Sequence, residues 1–237
     1  MNLVIFDFCE TICKYQSANR FVDFCLLKSD KKSFYYRCLS YLSSNIFIIK
    51  VLGRIFPKFN FCKRVKLFSL KGISQSKLNY FSKQYFEQLL INLNEDIVTI
   101  LEKHVREGDH VLIVSGGYIE YLNNFKSYFK IKEVIATRIA FRNGKCNGLF
   151  EGKDCMFEEK INMTQCYLDS IELNYNKSIC YTDSISDLSL LKWVDYPVVV
   201  SNMISQKWSN EYGFREIIIN DKKTCNEKVN RKNEVFR

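Results

Sequence analysis

Four short apolar runs along the chain each end in polar residues: NLVIFD (2–7), HVLIVSGG (110–117), SICYTD (178–183) and YPVVVSN (196–202). They are rich in Val, Ile or aromatic residues and lack clean alternation, the pattern of strands covered on both faces of a parallel sheet. Between them the apolar spacing lengthens to that of helices. Residues 95–107, EDIVTILEKHVRE, place Ile97, Ile100, Leu101 and Val105 on one face, and Gly108 follows as a stop. Residues 156–173 and 186–194 read in the same way. Alternating strand and helix predicts an α/β fold, a Rossmann-like three-layer parallel sheet whose ligand site lies at the carboxyl ends of the strands. Asp7, Ser115 and Asp183 all fall at such ends.

The stretch between the first two runs has a different character. Segment 17–92 shows no strand pattern and reads as several helices, with breaks near Ser29–Lys32, Pro57–Asn60 and Gly72–Ser74. The expected organisation is a core of residues 1–16 and 93–220, an inserted helical cap over 17–92, and a polar C-terminal tail over 221–237. No internal repeat is visible.

Composition supports this picture. Only 9 Gly and 2 Pro stand against 19 Phe and 14 Tyr, which favours helices and buried strands over a loop-rich all-β fold. Ten cysteines raise the question of disulfides, but there is no CxxC pair and most lie inside apolar runs. The chain opens on a strand-like run, without a basic start or a small-residue cleavage site. Reduced thiols and a cytoplasmic location are therefore expected. The net charge of +9 is unevenly spread: residues 12–94 hold fifteen Lys/Arg against three Asp/Glu, while the rest of the chain is slightly acidic. That asymmetry points to a partner or substrate with negative charge.

Asp7, Asp183 and the nearby Asp187 are candidates for one cluster. Bunched carboxylates repel one another unless a cation neutralises them, and the only histidines are His104 and His110. An all-oxygen set suits Mg²⁺ better than zinc. Lys160 and the Ser-Gly-Gly turn at Ser115 can supply positive charge and backbone N–H groups to a phosphoryl group. Together these describe phosphoryl transfer through an aspartyl-phosphate.

In order along residues 1–220, FDFCET, VSGGY, Lys160 and YTDSISDLSLL resemble the four motifs of the haloacid dehalogenase-like superfamily, in its phosphoserine phosphatase-like branch. That resemblance implies Asp7 as nucleophile. It implies Mg²⁺ held by the carboxylates of Asp7 and Asp183 and by the backbone carbonyl of Cys9, with Asp187 supporting the metal or its waters. It also implies phosphoryl oxygens held by Ser115 and the Gly116 N–H, with Lys160 steadying the nucleophile.

Two positions depart from the family pattern. Cys9 stands where the phosphatases usually carry a second aspartate, the general acid and base. A free thiol titrates near 8.5 against about 3.9 for Asp, so acid–base help worth about 10²–10⁴-fold is in question. Glu10, where glycine is more usual, is the adjacent stand-in. Gln16 stands where phosphoserine phosphatases carry a glutamate that reads the substrate's amine, which argues against phosphoserine. The expected activity is that of a Mg²⁺-dependent phosphatase acting on a small phosphorylated metabolite such as a sugar or alcohol phosphate. The alternatives are a phosphotransferase, a lipid-phosphate phosphatase at the membrane surface, and a catalytically impaired phosphate-binding module. Lys50, Arg54 and Lys58 recur every four residues in the cap, a spacing that would suit peripheral contact with an anionic membrane. No nucleic-acid motif accompanies the charge, and no nucleic-acid partner is expected.

Overall fold

The computed structural model describes residues 1–29 and 59–219. The positions Lys50, Arg54 and Lys58 and the tail 221–237 lie outside the described residues. The seven strands found are β1 Leu3–Phe6, β2 His110–Tyr118, β3 Glu133–Arg142, β4 Lys145–Glu151, β5 Ser178–Thr182, β6 Tyr196–Asn202 and β7 Arg215–Ile219. They form one sheet in the order β4-β3-β2-β1-β5-β6-β7, parallel except for the antiparallel pairing of β3 with β4. The four apolar runs are β1, β2, β5 and β6. The other three strands lie towards or at the two edges.

The missing alternation in β1 follows from burial on both faces. Leu3 and Ile5 pack into one apolar cluster with Leu112, Val114, Cys180 and Leu191. Val4 and Phe6 pack into the other with Phe21, Tyr85, Leu101 and Phe125. All four residues of β1 have 0% exposure, so both phases of the strand are apolar.

Helix α1 (Ser17–Lys28) follows β1, and α2 (Phe61–Phe68), α3 (Gln75–Leu90) and α4 (Glu95–Arg106) precede β2. The short α5 (Ile119–Leu122) and α6 (Asn124–Phe129) follow β2, α7 (Glu158–Ser170) follows β4, α8 (Leu188–Trp193) follows β5, and α9 (Lys207–Glu211) follows β6. The apolar faces of α1 and α3 join the same cluster as Val4 and Phe6. Not all of the basic excess here faces solvent. On α2, Lys63 pairs with Asp154 and Lys66 with Asp23 of α1 (2.6 Å), both with buried ammonium-bearing side chains. Among the described residues no helix is long and apolar enough to cross a membrane. The described cysteines are all free thiols.

Helix α2 is seated on β4 at Gly148. This glycine has φ +82°, and a Cβ there would stand 3.0 Å from the Phe68 α-carbon at the end of α2. Gly148→Ala combines a left-handed backbone with a backbone clash. It should destabilise the protein by about 1–3 kcal/mol. Urea unfolding followed by circular dichroism checks this, and an unchanged midpoint would contradict the seating.

Candidate active site

β1 ends one residue before Asp7. The Asp7 N–H continues the ladder by donating to the Tyr181 carbonyl at 2.9 Å, so the side chain emerges where β1 meets β5. The chain runs to one side of β1 through β2 and to the other through β5, which makes this the point where strand order reverses and ligand crevices form. Thr182 closes β5, and Asp183 follows it beside Asp7.

Three carboxylates converge here, two of them on one ammonium. Lys160, on the first turn of α7 and only 2% exposed, donates to Asp7 Oδ1 and to Asp187 Oδ2, each at 2.7 Å. Thr182 Oγ1 donates to the same Asp187 Oδ2 at 2.7 Å. Asp183 Oδ1 accepts from Thr11 Oγ1 at 2.9 Å, and the Asp183 N–H donates back to Thr11 Oγ1 at 3.0 Å. Thr11 is itself fixed by Asn94 Nδ2, which donates to its carbonyl at 2.5 Å.

The charge balance is incomplete. Asp7, Asp183 and Asp187 against Lys160 leave two negative charges when all are ionised. Burial, with repulsion from Asp187 and against the pull of Lys160, pushes Asp7 up to about 6. Burial and the Asp7 charge push Asp183 up to about 8. Lys160 stays protonated: despite burial, its two carboxylate partners hold it well above the ordinary lysine value. Asp187 Oδ1 is buried with no hydrogen-bond partner among the described residues. A hard divalent cation would cancel both charges, and this oxygen-donor set fits one. A second acidic group, His104 with Glu107 and Asp109, lies at the opposite ends of the strands. Its histidine is already occupied, by Asp109 Oδ2 at 2.8 Å and the Tyr181 hydroxyl at 3.1 Å.

Across from Asp7, β2 breaks register. Ser115 pairs with Ala136, but the next pair is Tyr118 with Thr137, so Gly116 and Gly117 bulge out of the ladder. Both glycines are closely approached, Gly117 by the buried side chains of Tyr121 and Leu122 and Gly116 by the flexible end of Met156. A Cβ on Gly116 would sit 2.2 Å from Met156 Sδ, and one on Gly117 would sit 2.5 Å from the Tyr121 hydroxyl. The Gly117 N–H donates to Ser115 Oγ at 3.1 Å.

All eight positions singled out in the sequence line one cleft of about 320 Å³: Asp7, Cys9, Gln16, Ser115, Gly116, Lys160, Asp183 and Asp187. Glu10 does not line it. Its φ of +60° accounts for the usual preference for glycine there, and its exposed carboxylate accepts from Gln16 Nε2 at 2.6 Å. The Cys9 thiol is turned to the start of α1. Its Sγ lies 3.1 Å from Ser17 Oγ and accepts the Ser17 N–H at 3.5 Å, while Ser17 Oγ lies 2.6 Å from the Tyr121 hydroxyl. Burial and the neighbouring Asp7 charge raise the thiol above its ordinary pKa. Cys9 is thus a neutral thiol at neutral pH. Sequence reasoning missed Thr11 as the clamp on Asp183, and Asn19, Asn60, Lys63 and Met156 as lining residues. Thr11 lies inside the FDFCET motif, whereas the other four converge only through long-range contacts and no local pattern marks them.

Comparison with known proteins places this geometry in context. No curated protein matches the sequence. Among solved structures, one of a protein of unknown function from Bordetella pertussis Tohama I aligns with a TM-score of 0.77 at 20% identity, covering 91% of this chain and 97% of that one. A substrate-bound phosphoserine phosphatase complex aligns with a TM-score of 0.61 at 15% identity, over 93% of both chains. Cytosolic 5'-nucleotidase IIIB bound to cytidine aligns at 0.64 and 15% identity, over 93% of this chain and 80% of that one. At such identities these likenesses speak for the fold. The sequence itself matches the profile of the haloacid dehalogenase-like hydrolases over residues 4–192, and the chain belongs to that family of enzymes.

Proposed function

We infer that this hydrolase is a Mg²⁺-dependent phosphatase that works through an aspartyl-phosphate on Asp7 and acts on a small, uncharged-headed phosphorylated metabolite such as a sugar or alcohol phosphate. The observation that carries this reading is Lys160, whose buried ammonium holds Asp7 and Asp187 in one cleft with Asp183, Ser115 and Gly116.

In the proposed reaction an Asp7 carboxylate oxygen attacks phosphorus as the bond to the leaving oxygen breaks, and that oxygen takes a proton from water to leave as the alcohol. Lys160 keeps Asp7 ionised and oriented, and offsets charge on the transferring group. Ser115 and the Gly116 N–H hold phosphoryl oxygens. Water then attacks the phosphorus of the aspartyl-phosphate, releasing phosphate and restoring Asp7. Mg²⁺, held by Asp7, Asp183 and the Cys9 carbonyl with Asp187 behind it, would supply charge neutralisation at the phosphoryl oxygens. The described helices α1 and α2 contribute Ala18, Asn19 and Lys63 to the cleft and would form part of the cap. Gln16 and Asn19 offer amides and no unpaired charge, which suits a hydroxylated leaving group better than an amino acid. Free thiols suit a reducing compartment such as the cytoplasm.

One observation favours a second reading. The neutral Cys9 thiol is a poor base for activating water, so the acyl-phosphate would persist long enough for transfer to an alcohol acceptor, or would turn over too slowly to matter. Contact with an anionic membrane through the basic segment, and with it a lipid-phosphate substrate, belongs to this second reading.

Two outcomes test the proposal. The raised pKa values of Asp7 and Asp183 mean that, without metal, folding shifts both carboxyls toward protonation relative to the unfolded chain. The stability they contribute is full below the ordinary carboxylate value of 3.8 and is lost as pH rises through about 6 and about 8. Mg²⁺ binds the ionised carboxylates, so it should raise the melting temperature more at pH 8 than at pH 5. An equal shift at both would contradict the assigned ligands.

The second outcome is kinetic. Mg²⁺-dependent phosphate release from a panel of phosphoesters should be abolished by Asp7→Asn. Cys9→Asp puts a carboxylate where the Ser17 N–H and hydroxyl already lie. It should accelerate breakdown of the phospho-enzyme by about 10²–10⁴-fold, while Cys9→Ala changes little. Loss of phosphate release in a folded, Mg²⁺-binding Cys9→Ala protein would make the thiol catalytic and overturn this account.

A further inference from the structure

The cleft holds a second buried lysine that the phosphoryl chemistry leaves unused. Lys63 lies on α2 and is 5% exposed. Its ammonium donates to the Gly116 carbonyl at 2.6 Å, to Thr137 Oγ1 at 3.0 Å and to Asp154 Oδ1. An ammonium has three donors, and three acceptors take them all. Thr137 Oγ1 donates onward to Asp154 Oδ1 at 2.7 Å, and Asn60 Nδ2 donates to Asp154 Oδ2 at 3.2 Å. The Lys63 charge is neutralised in place, and no N–H remains to read a substrate.

What Lys63 does hold is the bulge. Gly116 and Gly117 leave the β2–β3 ladder, so the Gly116 carbonyl loses its strand partner inside the protein. Lys63 takes that carbonyl. The N–H on the other side of the same peptide, that of Gly117, is taken by a lone pair of Ser115 Oγ at 3.1 Å. One peptide plane is therefore pinned at both ends. With that lone pair engaged, the Ser115 hydroxyl hydrogen is left for an acceptor in the cleft.

We propose that Lys63 is a positioning residue for phosphoryl binding: through the Gly116–Gly117 peptide it fixes Ser115 Oγ as a donor into the cleft. This rests on reading Ser115 and Gly116 as the phosphoryl cradle. It gives helix α2 a role at the reacting group that does not involve touching the substrate.

Calorimetric titration of the Mg²⁺-loaded protein with inorganic phosphate tests it. Lys63→Met alone would strand Asp154 as a buried, unpaired carboxylate, so the pair is removed together as Lys63→Met/Asp154→Asn, with near-ultraviolet circular dichroism to confirm packing. Phosphate binding should weaken about 10- to 100-fold, the scale of one hydrogen bond to a charged group. Ser115→Ala should weaken it comparably, and the triple variant should bind no worse than Ser115→Ala, because both changes remove the same donor. Lys63→Gln/Asp154→Asn keeps an N–H for the Gly116 carbonyl and should recover most of the loss. Equal weakening in the Met and Gln pairs, or fully additive penalties with Ser115→Ala, would reduce Lys63 to a structural strut and overturn the proposal. Undiminished phosphate binding in Ser115→Ala would overturn the cradle reading itself, and this inference with it.

Discussion

The site is organised by one buried ammonium between two buried carboxylates. An unpaired ionised carboxylate in an apolar interior is costly enough that it takes up a proton instead. Lys160 lies 2.7 Å from an oxygen of both Asp7 and Asp187, and its pull opposes the burial that raises Asp7. The geometry this demands reaches through the fold. α7 must deliver Lys160 beneath the strand ends, β1 must stop at Asp7, and the turn after β5 must return Asp187 with Thr182 Oγ1 already on it. Among the described residues no cation pairs with Asp183, and its raised pKa marks the place where the balance is unfinished. The site is thus preorganised for a charge that a divalent metal would complete.

The opposite wall is organised by a break in backbone pairing. A bulge at Gly116–Gly117 frees a carbonyl and an N–H that a regular strand would have used, and Lys63 and Ser115 Oγ take them. Tyr121 crowds Gly117, and the end of Met156 lies against Gly116. Lys63, Thr137 and Asp154 bind the freed carbonyl into a closed polar network that joins α2, β2, β3 and the loop after β4. Buried polar networks of this kind hold one geometry when every member is satisfied.

Much of this was legible in the sequence, for physical reasons. Parallel strands covered on both faces leave solid apolar runs, and their ends mark the crevice; Asp7, Ser115 and Asp183 could be placed from that alone. Lys160, Asp187 and Gln16 needed the order of motifs. β3 and β4 were not named, because their faces are unevenly buried, yet the hairpin turn was in plain view. Asn143 and Gly144 both have positive φ between Arg142 and Lys145, the two-residue signature of a hairpin. Lys63 and Asp154 were not legible. They lie 91 positions apart, and nothing local distinguishes Lys63 from the other bases of its segment. The basic excess of that segment suggested a surface for anions, whereas Lys63 and Lys66 are spent on internal ion pairs.

The central claim is that Asp7, held ionised by Lys160, receives the phosphoryl group while Cys9 does not. The most direct measurement is acid quenching of the enzyme during turnover of a reactive phosphoester with Mg²⁺, followed by peptide mass spectrometry. The account predicts one acid-stable, base-labile phosphoryl adduct localised by fragmentation to the Asp7 carboxylate, at its greatest occupancy in the unaltered Cys9 enzyme. An adduct on the Cys9 sulfur, or none while phosphate is being released, would contradict it.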